Sequence, residues 1–128
     1  ALAIDGWAGD AANEEERAEA DRPQQLDEHQ SWAEDCARHI AQRLGIETER
    51  ANLLALAARL HDEGKRAARW QRAFKAPIDG RPYAKTKGPI DFDLLDGYRH
   101  ELGSLPYVEA HNDFKALGTD DQDFVLHL

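Results

Sequence analysis

Leu60-His61-Asp62-Glu63-Gly64-Lys65 closes one apolar run and opens another. Before it, Leu53, Leu54, Leu56, Ala57 and Leu60 recur at helical spacing. After it, Ala67, Trp70, Gln71 and Phe74 do the same, so the polar cluster lies at a junction between two helices. Neighbouring side chains on a helix point about 100° apart, too far for His61 and Asp62 to serve one centre. At a helix end the backbone can turn, and Gly64 permits a turn that other residues resist. An imidazole nitrogen and a carboxylate oxygen then converge on one cation. That mixed donor set suits Mn, Fe, Ni, Co or Zn better than Ca.

Outward from this junction the pattern is helical throughout, which predicts an all-α fold. A first helix is expected over residues 26–44, stopped by Gly45. Taking His29 as the origin, Trp32, Ala33, Cys36, Ala37, Ile40 and Leu44 all fall within about 80° of it. His29 therefore belongs to the stripe expected to be buried, as a ligand or as a satisfied core histidine, while His39 falls at the edge. Thr48 is the expected N-cap of a second helix over 49–60, and a third runs over 65–74. From 75 to 93 the pattern dissolves around Pro77, Gly80, Pro82, Gly88 and Pro89 into a long loop. Tyr83 and Phe92 in that loop could offer stacking faces to bases, or the segment could be a plain disordered connection. Pro106 predicts a break after the short apolar stripe of Tyr98, Leu102 and Leu105, and Gly103 and Ser104 would let another helix come close. Thr119 and Gln122 read as a capping box for a last helix, whose apolar end suggests a chain cut within an element.

Composition narrows the function. The 128 residues make one domain or part of one, and no apolar run approaches the length of a membrane span. No secretory leader is apparent, and the single Cys36 reads as a buried thiol in a reducing compartment, which together predict a cytoplasmic protein. The net charge of −9 argues against a non-specific nucleic-acid coat, but it is uneven. Residues 65–99 hold nine basic side chains against four acidic ones. A polyanion such as single-stranded DNA could meet Arg66, Arg69, Arg81, Lys85, Lys87 and Arg99, or these could form an ordinary solvated face. Residues 1–25, acidic and alanine-rich with Trp7 near the start, read as a lead-in or linker before a domain over 26–128.

The candidate ligands are thus His29, His61, Asp62 and His100, each able to point inward, and a metal centre is the leading reading. At this point the chain resembles a family. Leu26-x-x-His29, His61-Asp62-x-Gly64-Lys65, Trp70-Gln71-x-x-Phe74 and Arg99-His100-Glu101-x-x-Ser104 together are similar to the HD nuclease domain of the CRISPR-associated type I helicase–nuclease. The resemblance implies an HD-domain helical bundle with one or two divalent metals that cleaves single-stranded DNA. The strand would be supplied by a helicase after a guide-RNA surveillance complex has opened the target. It also implies His29, His61 and Asp62 as ligands of a first metal, with Asp62 bridging to a second that His100 holds. Lys65 would lie near the scissile phosphate, so Asp62 and Lys65 are the implied catalytic pair.

The family pattern continues with a tandem His-His-Gly element and a distal Asp that this sequence lacks, so the bundle is expected to be incomplete at its C-terminus, to bind metal weakly and to cut poorly or not at all. His127 comes too early to substitute, and His111 and Asp113 match no element. Two rivals keep the fold but not the function. One is an HD phosphohydrolase acting on nucleotides or cyclic dinucleotides, and the other is a non-catalytic helical interaction module.

Overall fold

The computed structural model describes residues 22–87 and 89–128. The expected lead-in and Trp7 lie almost wholly outside the described residues, as does Gly88. The chain is mostly helical with one short two-stranded sheet. Its elements are β1 (Gln24–Gln25), α1 (Leu26–Arg43), α2 (Thr48–Leu60), a 3-10 turn (Glu63–Arg66) and α3 (Ala68–Ala73). There follow β2 (Tyr83–Lys85), α4 (Phe92–Leu95), α5 (His100–Gly103), α6 (Leu105–Ala110), α7 (Asn112–Lys115) and α8 (Thr119–Leu126).

α1 and α2 pack as an antiparallel hairpin. Gly45 closes α1 as expected: its φ of 68° lets Ile46 N–H reach the Ala41 carbonyl and Gly45 N–H reach that of Gln42. The buried face of α1 is not the one its apolar periodicity predicts. Leu26, His29, Gln30 and Ala41 are buried, whereas Trp32, Ile40 and Leu44 are exposed and Cys36 is half-buried. Counting about 100° per residue, the contact face is turned by roughly 50° from the centre of the expected stripe. Close helix approach selects small residues, and Ala41 of α1 and Ala55 of α2 are fully buried at the hairpin.

Two hydrophobic clusters flank the His61–Lys65 junction. Trp70, Ala73, Phe74, Tyr83, Ile90 and Leu95 form one. Leu60, Val108, Phe114 and Val125 form the other, closing α6 and α8 over the end of α2. Trp70 and Phe74 meet edge to face at 5.5 Å, the arrangement aromatic quadrupoles favour.

Part of the predicted loop over 75–93 is tied down by strand pairing. β2 pairs antiparallel with β1, Gln24 opposite Lys85 and Gln25 opposite Tyr83, leaving Ala84 as the extra residue of a bulge. Gln71 pins it: its Oε1 accepts the Tyr83 N–H at 2.9 Å and its Nε2 donates to the Tyr83 carbonyl at 2.9 Å. Tyr83 is therefore buried and cannot stack on a base, although Phe92 remains exposed. Two caps also differ from expectation. α2 and α8 begin at Thr48 and Thr119 themselves, and neither has a side-chain cap bond; Gln122 Nε2 instead donates to the Phe114 carbonyl at 3.2 Å. The third helix is interrupted, since the 3-10 turn over Glu63–Arg66 precedes α3 and Ala67 is extended. The break expected at Pro106 falls earlier, at Ser104, which separates α5 from α6 and leaves Pro106 in the first turn of α6, where its missing N–H costs nothing. No helix among the described residues is long and apolar enough to cross a membrane.

Candidate metal centre

α2 ends where its apolar run ends. His61 keeps helical dihedrals at φ −59°, and Asp62 then swings into the bridge region at φ −103° and ψ 10°. That one change brings the two neighbouring side chains together, with His61 Nε2 at 3.4 Å from Asp62 Oδ2. His29 reaches the same oxygen from α1, its Nε2 at 3.2 Å, and the Lys65 ammonium lies at 2.9 Å from it. His100, at the start of α5, places its Nε2 at 3.3 Å from the other oxygen, Oδ1. Asp62 is thus a buried hub, 2 % exposed, surrounded by three imidazoles and an ammonium.

Gly64 makes this convergence possible, but not through the conformational freedom the sequence suggested. Its φ is not positive. A Cβ there would overlap the His100 carbonyl oxygen and lie 2.7 Å from Ser104 N, so only glycine lets α5 come this close. Ser104 Oγ accepts the Gly64 N–H at 2.7 Å and donates to the carbonyl of His100 or His61. Tyr98 OH donates to the Gly64 carbonyl at 2.7 Å. The glycine and the serine of the His-Asp-x-Gly-Lys and Arg-His-Glu-x-x-Ser elements are therefore two halves of one contact.

Burial alone would push the Asp62 carboxyl toward its neutral form. Hydrogen bonds from His100 and His29, with the charge of Lys65 beside it, outweigh burial and hold it well below the usual carboxylate range. The His61 Nδ1–H donates to the Ala58 carbonyl, which leaves the Nε2 lone pair directed at the centre. His29 Nδ1 is buried with no partner among the described residues, so the ring is oriented from its Nε2 side.

His29, His61 and Asp62 form the group whose donor atoms all lie within 4.8 Å of one another, and they could hold a metal ion. Their separations of 3.2 and 3.4 Å match the roughly 3–3.5 Å between neighbouring ligands bound at about 2.0–2.2 Å. His100 falls outside that tight group, on the far oxygen of the hub. The cleft above has a volume of about 640 Å³, with His61 half exposed at 49 % at its mouth.

Of the basic residues read as DNA contacts, Lys85 lines this cleft together with Lys65. Arg66 does not: its guanidinium is bound to Glu63 at 2.6 Å and to Asp27 at 2.9 Å. Arg81 opens onto a different groove, and Arg69, Lys87 and Arg99 are exposed without lining the cleft. His111 turns out to cap α7, its Nδ1 accepting the Asp113 N–H, and His127 is exposed and engaged with the Asp123 carbonyl.

Three supporting roles were not read from the sequence. Gln71 Nε2 donates to the Lys65 carbonyl at 2.6 Å, tying the turn to β2. The Ala84 carbonyl, freed by the bulge, faces Lys65 Nζ at 3.5 Å. Gln30 Nε2 donates to the buried Glu63 at 2.8 Å, fastening α1 to the 3-10 turn. A polar residue inside an apolar stretch is the one signal that could have marked Gln30 and Gln71.

No family model, curated protein or solved structure matches the chain. The likeness to the HD nucleases rests on the residues themselves.

Proposed function

We propose that this chain is a metal-dependent nuclease domain that hydrolyses phosphodiester bonds of single-stranded DNA, in the cytoplasm, beside a helicase and a CRISPR surveillance complex. The observation that carries the metal-dependent chemistry is the convergence of three histidine Nε2 atoms and a lysine on the two oxygens of buried Asp62. The choice of DNA, helicase and CRISPR partners rests on the four motifs shared with the HD nucleases. His29, His61 and Asp62 would hold one divalent metal, and His100 together with Asp62 would contribute to holding a second. The nitrogen–oxygen donors favour Mn, Fe, Ni or Co over Ca. When bound, such a metal polarises the phosphoryl oxygen and makes water a competent nucleophile near neutral pH.

The protein's part is positional and electrostatic. Asp62 is held ionised, ready to accept a cation without first losing a proton. Lys65 is buried in the lining of the cleft, where its amino group can neutralise charge building on non-bridging phosphate oxygens. Lys85 adds a cation to the same wall, and the exposed edge of His61 leaves the mouth open to a strand rather than enclosing a mononucleotide.

The test has two stages. Calorimetric titration with Mn or Ni should show stoichiometric binding that is lost in His61→Ala with Asp62→Ala. The metal-loaded chain should then nick single-stranded DNA slowly and leave mononucleotides intact. Failure to bind metal overturns the whole reading in favour of a non-catalytic module. Hydrolysis of mononucleotides with none of single-stranded DNA overturns the substrate and favours the phosphohydrolase.

A further inference from the structure

On the other side of α3 a second groove shares no lining residue with the metal cleft. Its volume is about 700 Å³. The floor is aliphatic, built from Ala76, Pro77, Pro82 and Leu94, and Ile78 stands fully exposed at its edge. Arg72, Lys75 and Arg81 are exposed around it, and among the described residues no carboxylate or aromatic ring lines it. A fourth cation, Arg66, is already committed to Glu63 and Asp27. The nearest acid, Asp79, uses its carboxylate on the Arg81 N–H and the Tyr83 hydroxyl, outside the groove lining.

We propose that this groove docks an acidic segment of a partner protein, one that sets aliphatic side chains on the floor and carboxylates against Arg72, Lys75 and Arg81. Two observations select that chemistry. Single-stranded nucleic acid binds through base stacking on aromatic rings as well as through cations, and this groove offers cations with no ring. An aliphatic lining rimmed by exposed cations is instead complementary to apolar side chains flanked by Asp or Glu.

The groove is preformed. Lys75, at φ 55°, ends α3 abruptly, and Ala76 N–H bonds back to the Gln71 carbonyl. Thr86 Oγ1 donates to the Phe74 carbonyl at 2.7 Å, fastening the return of the loop. Little ordering entropy is therefore left to lose on binding. On a chain of net charge −9, this local positive patch also gives an acidic partner a favourable place to land. The surface is independent of the metal centre and does not require the nuclease reading.

The full chain, isotope-labelled and kept in chelator, would be titrated with a short peptide alternating Glu and Leu while amide chemical shifts are followed. The same peptide with Gln in place of Glu, and oligothymidylate, are the comparisons. The expected result is shifts centred on residues 72–82 and 94, weakened at least about tenfold by Arg72→Glu with Arg81→Glu and by Ile78→Asp. Added salt should weaken them as well. These three positions are exposed, so unchanged shifts elsewhere report that the variants are folded. The proposal is overturned by no shift at millimolar peptide, by equal binding of the Gln peptide, or by undiminished binding in the variants. It is likewise overturned if oligothymidylate moves the same amides more strongly, or if they move with protein concentration alone.

Discussion

Replacing Gly64 by alanine tests the contact on which the metal centre is assembled. The added Cβ would overlap the His100 carbonyl oxygen and stand 2.7 Å from Ser104 N and 2.8 Å from the His100 carbonyl carbon. All three are backbone atoms, so no side-chain rotation relieves the clash, and α5 has to move away. Moving it breaks the Ser104 Oγ and Tyr98 OH bonds to Gly64. Overpacking costs about 1–3 kcal/mol. Two hydrogen bonds at about 0.5–1.5 kcal/mol each bring the expected loss to roughly 2–6 kcal/mol, a large share of a small domain's stability. The assay is urea denaturation of the chain beside Gly45→Ala, where φ is 68° and nothing lies within 4 Å of the new methyl. Gly45→Ala pays only the left-handed backbone cost, about 1–2 kcal/mol. Gly64→Ala should exceed it by about 2 kcal/mol and weaken Mn binding at the same time, because the displaced α5 carries His100. Equal costs for the two alanines would refute the close-approach account and return Gly64 to the role of a turn residue.

Three other outcomes follow from the same geometry. Asp62→Ala leaves Lys65 buried without its partner, so the metal-free protein should lose about 3–5 kcal/mol, much of it regained in Asp62→Ala with Lys65→Met; thermal melts in chelator decide. Gln71→Ala removes three hydrogen bonds that hold β2 and the 3-10 turn, so the Tyr83 amide should exchange with solvent at least about tenfold faster; protection equal to wild type would mean the β1–β2 pairing suffices. The hydrogen bond from Tyr83 OH, and then that from Arg81 N–H, lower the Asp79 carboxyl pKa below its ordinary value. Its contribution is therefore present above the unfolded pKa and fades as pH falls through the folded one. Tyr83→Phe should raise the Asp79 titration midpoint toward the unperturbed range in a carboxyl-detected NMR titration, and an unmoved midpoint would exclude the bond.

Much of the molecule could be read from local chemistry. Periodicity around residues 60–65 was enough to place α2, the junction and an apolar run after it, because a helix end is announced by where the apolar spacing stops. Gly45 acts through its own backbone geometry, so its stop needed no knowledge of neighbours. The four metal-centre candidates were recognisable by residue type, and the structure brings all of them to Asp62. The cap roles of Thr48 and Thr119 were misplaced, since the start of a helix depends on how the preceding segment packs.

Tertiary structure decided what depends on which surface meets which. α1 buries Leu26, Gln30 and Ala41 and leaves Trp32 and Ile40 exposed, because helix approach is set by the partner's shape and not by one helix's hydrophobicity. Arg66 left the set of phosphate contacts when Glu63 and Asp27, distant from each other in sequence, closed on it. The segment around Tyr83 looked structureless from its glycines and prolines, yet Gln71 and β1 order it through partners far along the chain. Gly64 shows the division most plainly. The sequence by itself determined that a glycine stands beside the His-Asp pair, but the reason for it, the backbone of α5 lying against its missing side chain, exists only once the two segments are folded together.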